Sequence, residues 1–493
     1  MSQYLLGIDI GTSACKAALF TADGLCAVSA ETPYAVNRPQ AGWAEQSPEV
    51  WWTAAAASIR SLLAAGHIRP TDIAGIGVDG QSWAMVAVDA QGSVLMPSPI
   101  WTDSRAQKDC AEMIKAVGRE ALYACSGNPV MPGYTLPKVL WLKRCFPDIY
   151  QKTEKVLQSN GYIVFRLTGS MTQDFSQGYG WHCFDTAQRK WNTSLAEALG
   201  LRCALLPELH PCSDVVGRVT QAAAKETGLA EGTPVVAGGL DAACAALGVG
   251  VTREGETQEQ GGQAGGMSLC LNSYASHPAL IISPHVLPGR WLLQGGTTGG
   301  GGALKWFREQ FCPEMTFDQM SQEAALSPPG SNGLLFLPYL AGERSPIWDP
   351  NIKGMLVGLN YSTSRRDMIR AVMEGVAFSL RHNLETAAIT GTKVTALRAM
   401  GGSAKSNVWV QIKADVTGKA IEVPQVKAAT AYGAALLAGI GIGMIDPRSD
   451  ISQLIKPGKQ YVPTQQNSAT YDRMYDLYLN LASQAKRLEK KWQ

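Results

Sequence analysis

Residues 7–16 read GIDIGTSACK. Asp9 follows Tyr4, Leu5, Leu6 and Ile8, which are good strand formers. A carboxylate buried in such a strand is costly unless a cation or hydrogen bonds compensate for it. The same letters also make turn chemistry, because Asp-x-Gly-Thr-Ser suits a tight reversal. The stretch alone leaves both readings open, and the rest of the chain has to decide between them.

Outward from this point, the start of the chain reads as strand, turn, strand, turn: YLLGIDIG, ACKAALF and TADG, with a third strand in LCAVSAETPYAV. A helix follows in GWAEQSPEVWWTAAAASIRSLLAAG. Ser47 suits its N-cap, Pro48 its first position, and Trp51 and Trp52 its buried face. Residues 73–78 read as a buried strand and SWAMVAVDAQGSVL as a further hairpin. Three antiparallel strands, a helix, then a strand is an α/β pattern, but not the dinucleotide-binding order. After a Pro/Trp-rich stretch at 97–141, TPVVAGGLDAA returns as a strand running into the helix AACAALGVGV. The second half repeats the theme: helix MIRAVMEGVAFSLRHNLETA, strand ALRAMGG, helix SNVWVQIKADVTG, strand AIEV, apolar helix AATAYGAALLAGIG. A final helix puts Tyr471, Met474, Tyr475, Tyr478, Leu481, Ala485 and Leu488 on one stripe. Two large α/β domains meeting near residues 245–255 fit this order.

Composition narrows the class. A chain of 493 residues is too long for one ordinary core. A net charge of +2, with no basic block, argues against a nucleic-acid or anionic-membrane surface. The eleven cysteines are scattered without C-x-x-C or zinc-like spacing, and no apolar leader precedes the first strand. Free thiols in a reducing cytoplasm are the expectation. No apolar run reaches membrane-spanning length.

Glycine turns recur at 11, 261–266, 295–302 and 401–402. Glycine lets backbone N–H groups approach an anion closely, so several such turns can cradle one polyphosphate. Each alone also reads as an ordinary loop. Gly75-x-Gly77-x-x-Gly80 matches the dinucleotide fingerprint, but a strand-like run follows it, not a helix; a Walker sequence is absent. Nucleotide binding here would need another architecture. In it, Asp9 would orient a hydrated Mg²⁺, and Gly11, Thr12 and Ser13 would offer turn N–H and hydroxyl groups to phosphates.

At this point the motifs match a known family. GIDIGTSACKAALF, PIWTDSRA, VVAGGLDAACAALGVG, MEGVAFSLRHNLE and MGGSAKSNVWVQIKAD, in that order, resemble the FGGY carbohydrate kinases. The resemblance runs from residue 4 to 485. GNPVMPGYTLPKVLWLK and the stretch ending ERSPIWDPNIKGMLVGL are most similar to the xylulokinase branch. It implies two actin/hexokinase-like (ribonuclease H-like) α/β domains around a deep cleft, at 1–247 and 248–493, with sugar mainly on the first and ATP mainly on the second.

Carried over residue by residue, the resemblance makes Asp9 the Mg²⁺ aspartate and Asp241 the general base. Gly11, Thr12 and Ser13 become the first phosphate turn, with Lys16 beside it. Gly262, Gln263, Gly265 and Gly266 fall on the second phosphate loop, which departs from the usual Gly-Thr-Ser wording, and Gly301 belongs with them. Gly401, Gly402 and Asn407 fall on the adenosine loop. Gln81, Ser82, Trp83, Trp101 and Asp103 fall in the sugar-pocket segments, with Arg105 close by. The family's Met-His after the pocket glutamine is Ser82-Trp83 here, and Ala242 replaces an asparagine after the base.

The expected reaction is phosphoryl transfer from Mg-ATP to a sugar hydroxyl, most naturally of a ketose such as D-xylulose. Another ketose, a sugar acid, a polyol, or a degenerate non-catalytic sensor are the alternatives. An ordinary aspartate, with a pKa of about 4, would be ionised and ready as base at neutral pH. The sole expected partner is the small-molecule sugar, with no nucleic acid and no membrane. An exposed sheet edge or the terminal helix could form a homodimer.

Overall fold

The computed structural model describes residues 3–492, with side chains to 488. The opening meander forms as three antiparallel strands: β1 (Tyr4–Ile10), β2 (Ala14–Thr21) and β3 (Cys26–Pro33). Helix α1 (Pro48–Gly66) follows, and then β4 (Ile73–Gly80) pairs parallel to β1. Strand β5 (Pro234–Val236) adds parallel to β4, and helix α2 (Asp241–Gly248) comes next.

The second half repeats this plan. Its antiparallel strands are β6 (Glu256–Gly261), β7 (Gly265–Leu271) and β8 (Trp291–Thr297), followed by helix α3 (Gly301–Phe311). After the long helix α4 (Arg365–Ala388), β9 (Ala396–Met400) pairs parallel to β6. Helix α5 (Asn407–Thr417), the parallel strand β10 (Ile421–Val423), and helices α6 (Ala429–Gly441) and α7 (Ser468–Trp492) complete the chain. The spatial orders β3-β2-β1-β4-β5 and β8-β7-β6-β9-β10 are the same order used twice. The molecule is thus a mixed α/β structure with two sheet-bearing domains. Among the described residues no helix is long and apolar enough to cross a membrane.

Alternation fixes which helix lies on which face. Leu6, Ile8, Ala17 and Leu19 bury against Trp51, Ala55, Ile59 and Leu62 of α1. Leu5, Ala18 and Phe20, from the opposite face, pack with α6 and α2. Helix α6 therefore belongs by sequence to the second half and by packing to the first sheet. It lies very close. A Cβ on Gly7 would come within 1.8 Å of the Ala431 carbonyl, and one on Gly77 within 1.9 Å of the Ala434 carbonyl. Gly7 and Gly77 face each other in the β1–β4 register. Within the dinucleotide-like glycine pattern, Gly77 thus seats a helix backbone, while Gly80 makes room for Ser159.

The run SWAMVAVDAQGSVL turns back on itself as a short hairpin, with the Asp89 N–H donating to the Ser93 carbonyl and the Leu95 N–H to the Ala87 carbonyl, while Val86–Val88 also pairs with Lys155–Leu157. One sequence expectation needs correcting. Leu488 lies off the terminal stripe and is 40% exposed, while Tyr471, Met474, Tyr475, Tyr478 and Ala485 are buried.

Gly77→Val should lower unfolding stability by about 3 kcal/mol, at the upper end of overpacking costs, because the backbone of α6 cannot retreat. Urea denaturation measures it. A variant as stable as the parent would contradict this packing.

Candidate active site

The parallel β1–β4 register sets Asp9 directly opposite Asp79. A two-residue strand, Gly239–Leu240, pairs with Asp79 and Gly80, and Asp241 follows it as the first residue of α2. Three carboxylates therefore gather at the ends of adjacent strands. Asp9 and Asp241 are partly open, whereas Asp79 is fully buried and, apart from the Asp9 carboxyl beside it, neither of its oxygens has a hydrogen-bond partner. Asp241 Oδ1 accepts from the Ala242 N–H at 2.6 Å.

Burial pushes the Asp9 carboxyl up to about 6, against the lowering effects of Asp79 and Lys16. Burial, with the charge of Asp9, pushes Asp241 up to about 7. Burial and then the charges of Asp9 and Asp241 hold Asp79 well above the ordinary carboxylate range. The expectation of an ordinary aspartate at position 241 is corrected accordingly: its carboxyl is pushed up to about 7 rather than lying at about 4. The compensating cation is not a nearby lysine. Lys16 lies opposite Asp9 on β2, but its side chain is 48% exposed and sits 3.5 Å from Glu31.

Asp79 escaped the sequence reading. The signal was present: a carboxylate ending the apolar run IAGIGVDG poses the same burial question as Asp9 in YLLGIDIG. Asp9 and Asp79 fit a hard cation, since one carboxylate opens to the cleft and the other is orphaned behind it. No group of three or more His, Cys, Asp or Glu among the described residues could hold a metal. Further ligands to an ion here would be phosphate and water oxygens.

The first glycine turn follows β1. The Gly11 N–H closes the turn onto the Ala14 carbonyl, and the Tyr34 hydroxyl donates to the Gly11 carbonyl. Among the described residues the Thr12 and Ser13 N–H groups have no acceptor in the protein. They are free for an anion. The Thr12 hydroxyl is not, because it donates to Gln81 Oε1 at 3.3 Å and accepts the Trp101 indole N–H at 3.0 Å.

A cavity of about 690 Å³ opens beside this turn, lined by Trp83, Trp101, Met131, Glu343, Arg344 and Trp348 among others. Trp83 has φ +57°, rare for a bulky residue, and stacks on Tyr134 with ring centroids 4.1 Å apart. The buried Lys138 ammonium donates to the Trp83 and Ile100 carbonyls at 2.9 and 2.7 Å and so fixes two cavity segments. Tyr179 feels the charges of both Asp241 and Arg344 and packs edge-on to Trp83, which ties the cavity to the carboxylates.

Several predicted sugar contacts are otherwise engaged. Asp103 is 1% exposed, and its oxygens accept from the Ala44 N–H, the Arg105 N–H and the Arg105 guanidinium at 2.6–2.9 Å. Arg105 in turn lies over the Trp43 ring at 3.6 Å. Gln81 is 1% exposed and hydrogen-bonded on both ends of its amide. Ser82 lies off the cavity wall. Glu343, Arg344 and Trp348, from ERSPIWDP, join Trp83, Trp101 and Asp103 on the wall.

A second cavity, of about 910 Å³, lies on the other domain between Gly261, Gly262, Gln263, Gly301, Gly402 and Ser403 on one side and Phe317 and Trp409 on the other. Gly401 has φ +90°, which favours glycine, and it abuts the Gly261 carbonyl. Gly265 and Gly266 lie inside β7 rather than on this wall. The Gly301 and Gly302 N–H groups donate to the Gly262 and Gln263 carbonyls, so the α3 N-terminus is capped from within. Asn407 stands off the wall, its Oδ1 accepting from the Tyr461 hydroxyl. The glycine stretch 295–302 spans the two cavities: Thr298 lines the first and Gly301 the second.

Because its folded-state pKa is raised, Asp79 binds more protons folded than unfolded. Its contribution to stability therefore falls as pH rises from about 4 toward its folded value. Asp79→Asn should raise Tm in metal-free buffer at pH 8 by ~2 °C or more, with the gain shrinking toward pH 4. A lower Tm at pH 8 would contradict this charge assignment.

Comparison with known proteins gives this geometry its context. Residues 4–248 match the N-terminal domain of the FGGY family of carbohydrate kinases, and residues 271–442 match its C-terminal domain. The xylulose kinase of Bacillus subtilis (strain 168) is 32% identical over 99% of this chain and 98% of its own. The crystal structure of xylulose kinase from Rhodospirillum rubrum superimposes with a TM-score of 0.91 at 30% identity, covering 99% of this chain and 100% of that one. That of gluconate kinase from Lactobacillus acidophilus gives 0.94 at 26% identity, with full coverage of both chains. The chain belongs to the FGGY family of carbohydrate kinases and is an ATP-dependent sugar kinase.

Proposed function

We propose that the protein transfers the γ-phosphoryl group of ATP to a hydroxyl of D-xylulose, giving xylulose 5-phosphate, with Asp241 as general base. The observation that carries this reading is the position of Asp241 beside Asp9 and Asp79, at strand ends next to a sugar-sized cavity. In this reading the sugar occupies the cavity of Trp83 and Trp101. ATP lies along the second cavity, with adenosine between the Gly401–Gly402 loop and Phe317. We place the domain boundary at residues 247/248, at the end of α2.

Asp9, backed by Asp79, would hold Mg²⁺. The ion, when bound, neutralises phosphate charge. The Thr12 and Ser13 N–H groups hold the phosphates from the first domain. Asp241 takes the proton from the attacking hydroxyl, and its raised pKa suits a base working near neutral pH. Trp83, Tyr134 and Tyr179 form an apolar wall that limits water as a competing nucleophile.

A second reading, phosphorylation of a sugar acid, rests on one observation. The Arg344 guanidinium lines the first cavity and makes no ion pair among the described residues, with the Glu343 carboxyl as the nearby charge that acts on it. A substrate carboxylate would pair with it. The likeness to a gluconate kinase structure accords with this.

ADP release from Mg-ATP, measured with D-xylulose and with D-gluconate, tests both readings. Asp241→Asn should lower sugar-dependent turnover by about 10²- to 10⁴-fold. In the parent, kcat/KM should fall as pH drops through about 7, because the base must be deprotonated. An Asp241→Asn variant of near-parental rate would remove the base assignment.

A further inference from the structure

Trp101 lines the sugar cavity, yet its indole N–H points away from it, to the phosphate turn. From there a hydrogen-bond circuit runs into the core. The Thr12 hydroxyl accepts from Trp101 and donates to Gln81 Oε1. Gln81 Nε2 donates to Gln46 Oε1 at 2.8 Å, and Trp51 Nε1 donates to the same oxygen at 3.1 Å. Gln46 Nε2 returns to the turn, donating to the Thr12 carbonyl at 2.8 Å and also to the Ala35 carbonyl at 3.2 Å.

Gln46 and Gln81 are 3% and 1% exposed, and Trp51 is fully buried. Both donor hydrogens and both lone pairs of Gln46 are in use, so its amide has a single satisfied orientation. That orientation fixes the direction of every bond in the ring. The Thr12 proton is committed to Gln81, and Thr12 keeps only its peptide N–H for an anion. The circuit is anchored at Trp51 on α1. Its member on the wall of the first cavity is Trp101.

We infer that Trp101 and Thr12 couple sugar occupancy to the phosphate turn. A sugar packed on the Trp101 ring fixes the indole, the indole N–H fixes the Thr12 hydroxyl, and the turn then holds its Thr12 and Ser13 N–H groups toward the nucleotide phosphates. Trp101 is on this account a positioning residue for the phosphates as well as a wall of the cavity, and Gln46 is the hub that holds the turn. The inference rests on the reading that sugar enters the first cavity and that the turn binds phosphate. It supplies a physical reason for ATP to react with sugar in preference to water: a sugar on the ring would restrain the Trp101–Thr12 bond that braces the turn.

The experiment measures the affinity of Mg-AMP-PNP by calorimetry, with and without D-xylulose or D-gluconate, in the parent, Trp101→Phe, Thr12→Val and Thr12→Ser. In the parent, sugar should tighten nucleotide binding by about 5-fold or more. Trp101→Phe keeps the ring and loses the N–H, and it should reduce that coupling by about 3- to 10-fold, the worth of one hydrogen bond. Its kcat should fall by more than its sugar KM rises. Thr12→Val should do the same, and Thr12→Ser, which restores the hydroxyl, should return the coupling. A folded Trp101→Phe with parental coupling overturns the inference, as does a parent that phosphorylates sugar but shows no coupling. A parent that phosphorylates neither sugar would instead overturn the functional reading.

Discussion

The parallel pairing of β1 with β4 brings Asp9 and Asp79 side by side, and the short strand before α2 adds Asp241. Three carboxylates meet with no buried cation among them. Such an arrangement is unfavourable for the protein alone: burial raises all three pKa values, and the charges of the neighbouring aspartates add to the rise at Asp79 and Asp241. Much of the rest of the site answers this local excess of negative charge. The turn after β1 leaves two N–H groups free, and the second domain brings a nucleotide-sized cavity. A divalent ion between carboxylates and phosphates would relieve the excess, which links charge compensation to substrate binding.

Helix α6 holds this arrangement in register. It comes from the second half of the chain and packs its backbone onto the glycines of β1 and β4 and onto α2, the helix that begins with Asp241. The element that connects the domains is therefore the same one that supports all three aspartates. The stretch 295–302 contributes to both cavities, and the Asn128–Ile282, Arg189–Arg290 and Trp291–Thr186 hydrogen bonds also join the halves.

The fold was legible wherever the apolar period was strong: the opening meander, α1, and the repeated strand–helix pattern of the second half. The shared sheet order was less visible, because short strands such as Pro234–Val236 carry little pattern of their own. Asp9 stands out in the sequence because it interrupts an apolar run before a glycine, whereas Asp241, equally suited to cap a helix, is singled out only by the family resemblance. That Gln81 and Asp103 are held by hydrogen bonds within the protein, with Asp103 still on the cavity wall, is not legible in the sequence. Their partners, Gln46 and Ala44, are far away in sequence, and only the three-dimensional structure reveals that their hydrogen-bonding capacity is already used. Arg344 reaches the first cavity from more than two hundred residues beyond Trp101, and no local signal assigns it there. Asp79 differs from these, since the burial argument that singled out Asp9 applies to it unchanged.

The most direct test of this account is anomalous scattering from crystals grown with Mn²⁺ and AMP-PNP. The account predicts a manganese peak beside Asp9, with the phosphates against the Thr12–Ser13 turn and the base between Gly402 and Phe317. A manganese peak away from the three aspartates, or a nucleotide bound outside the second cavity, would contradict it.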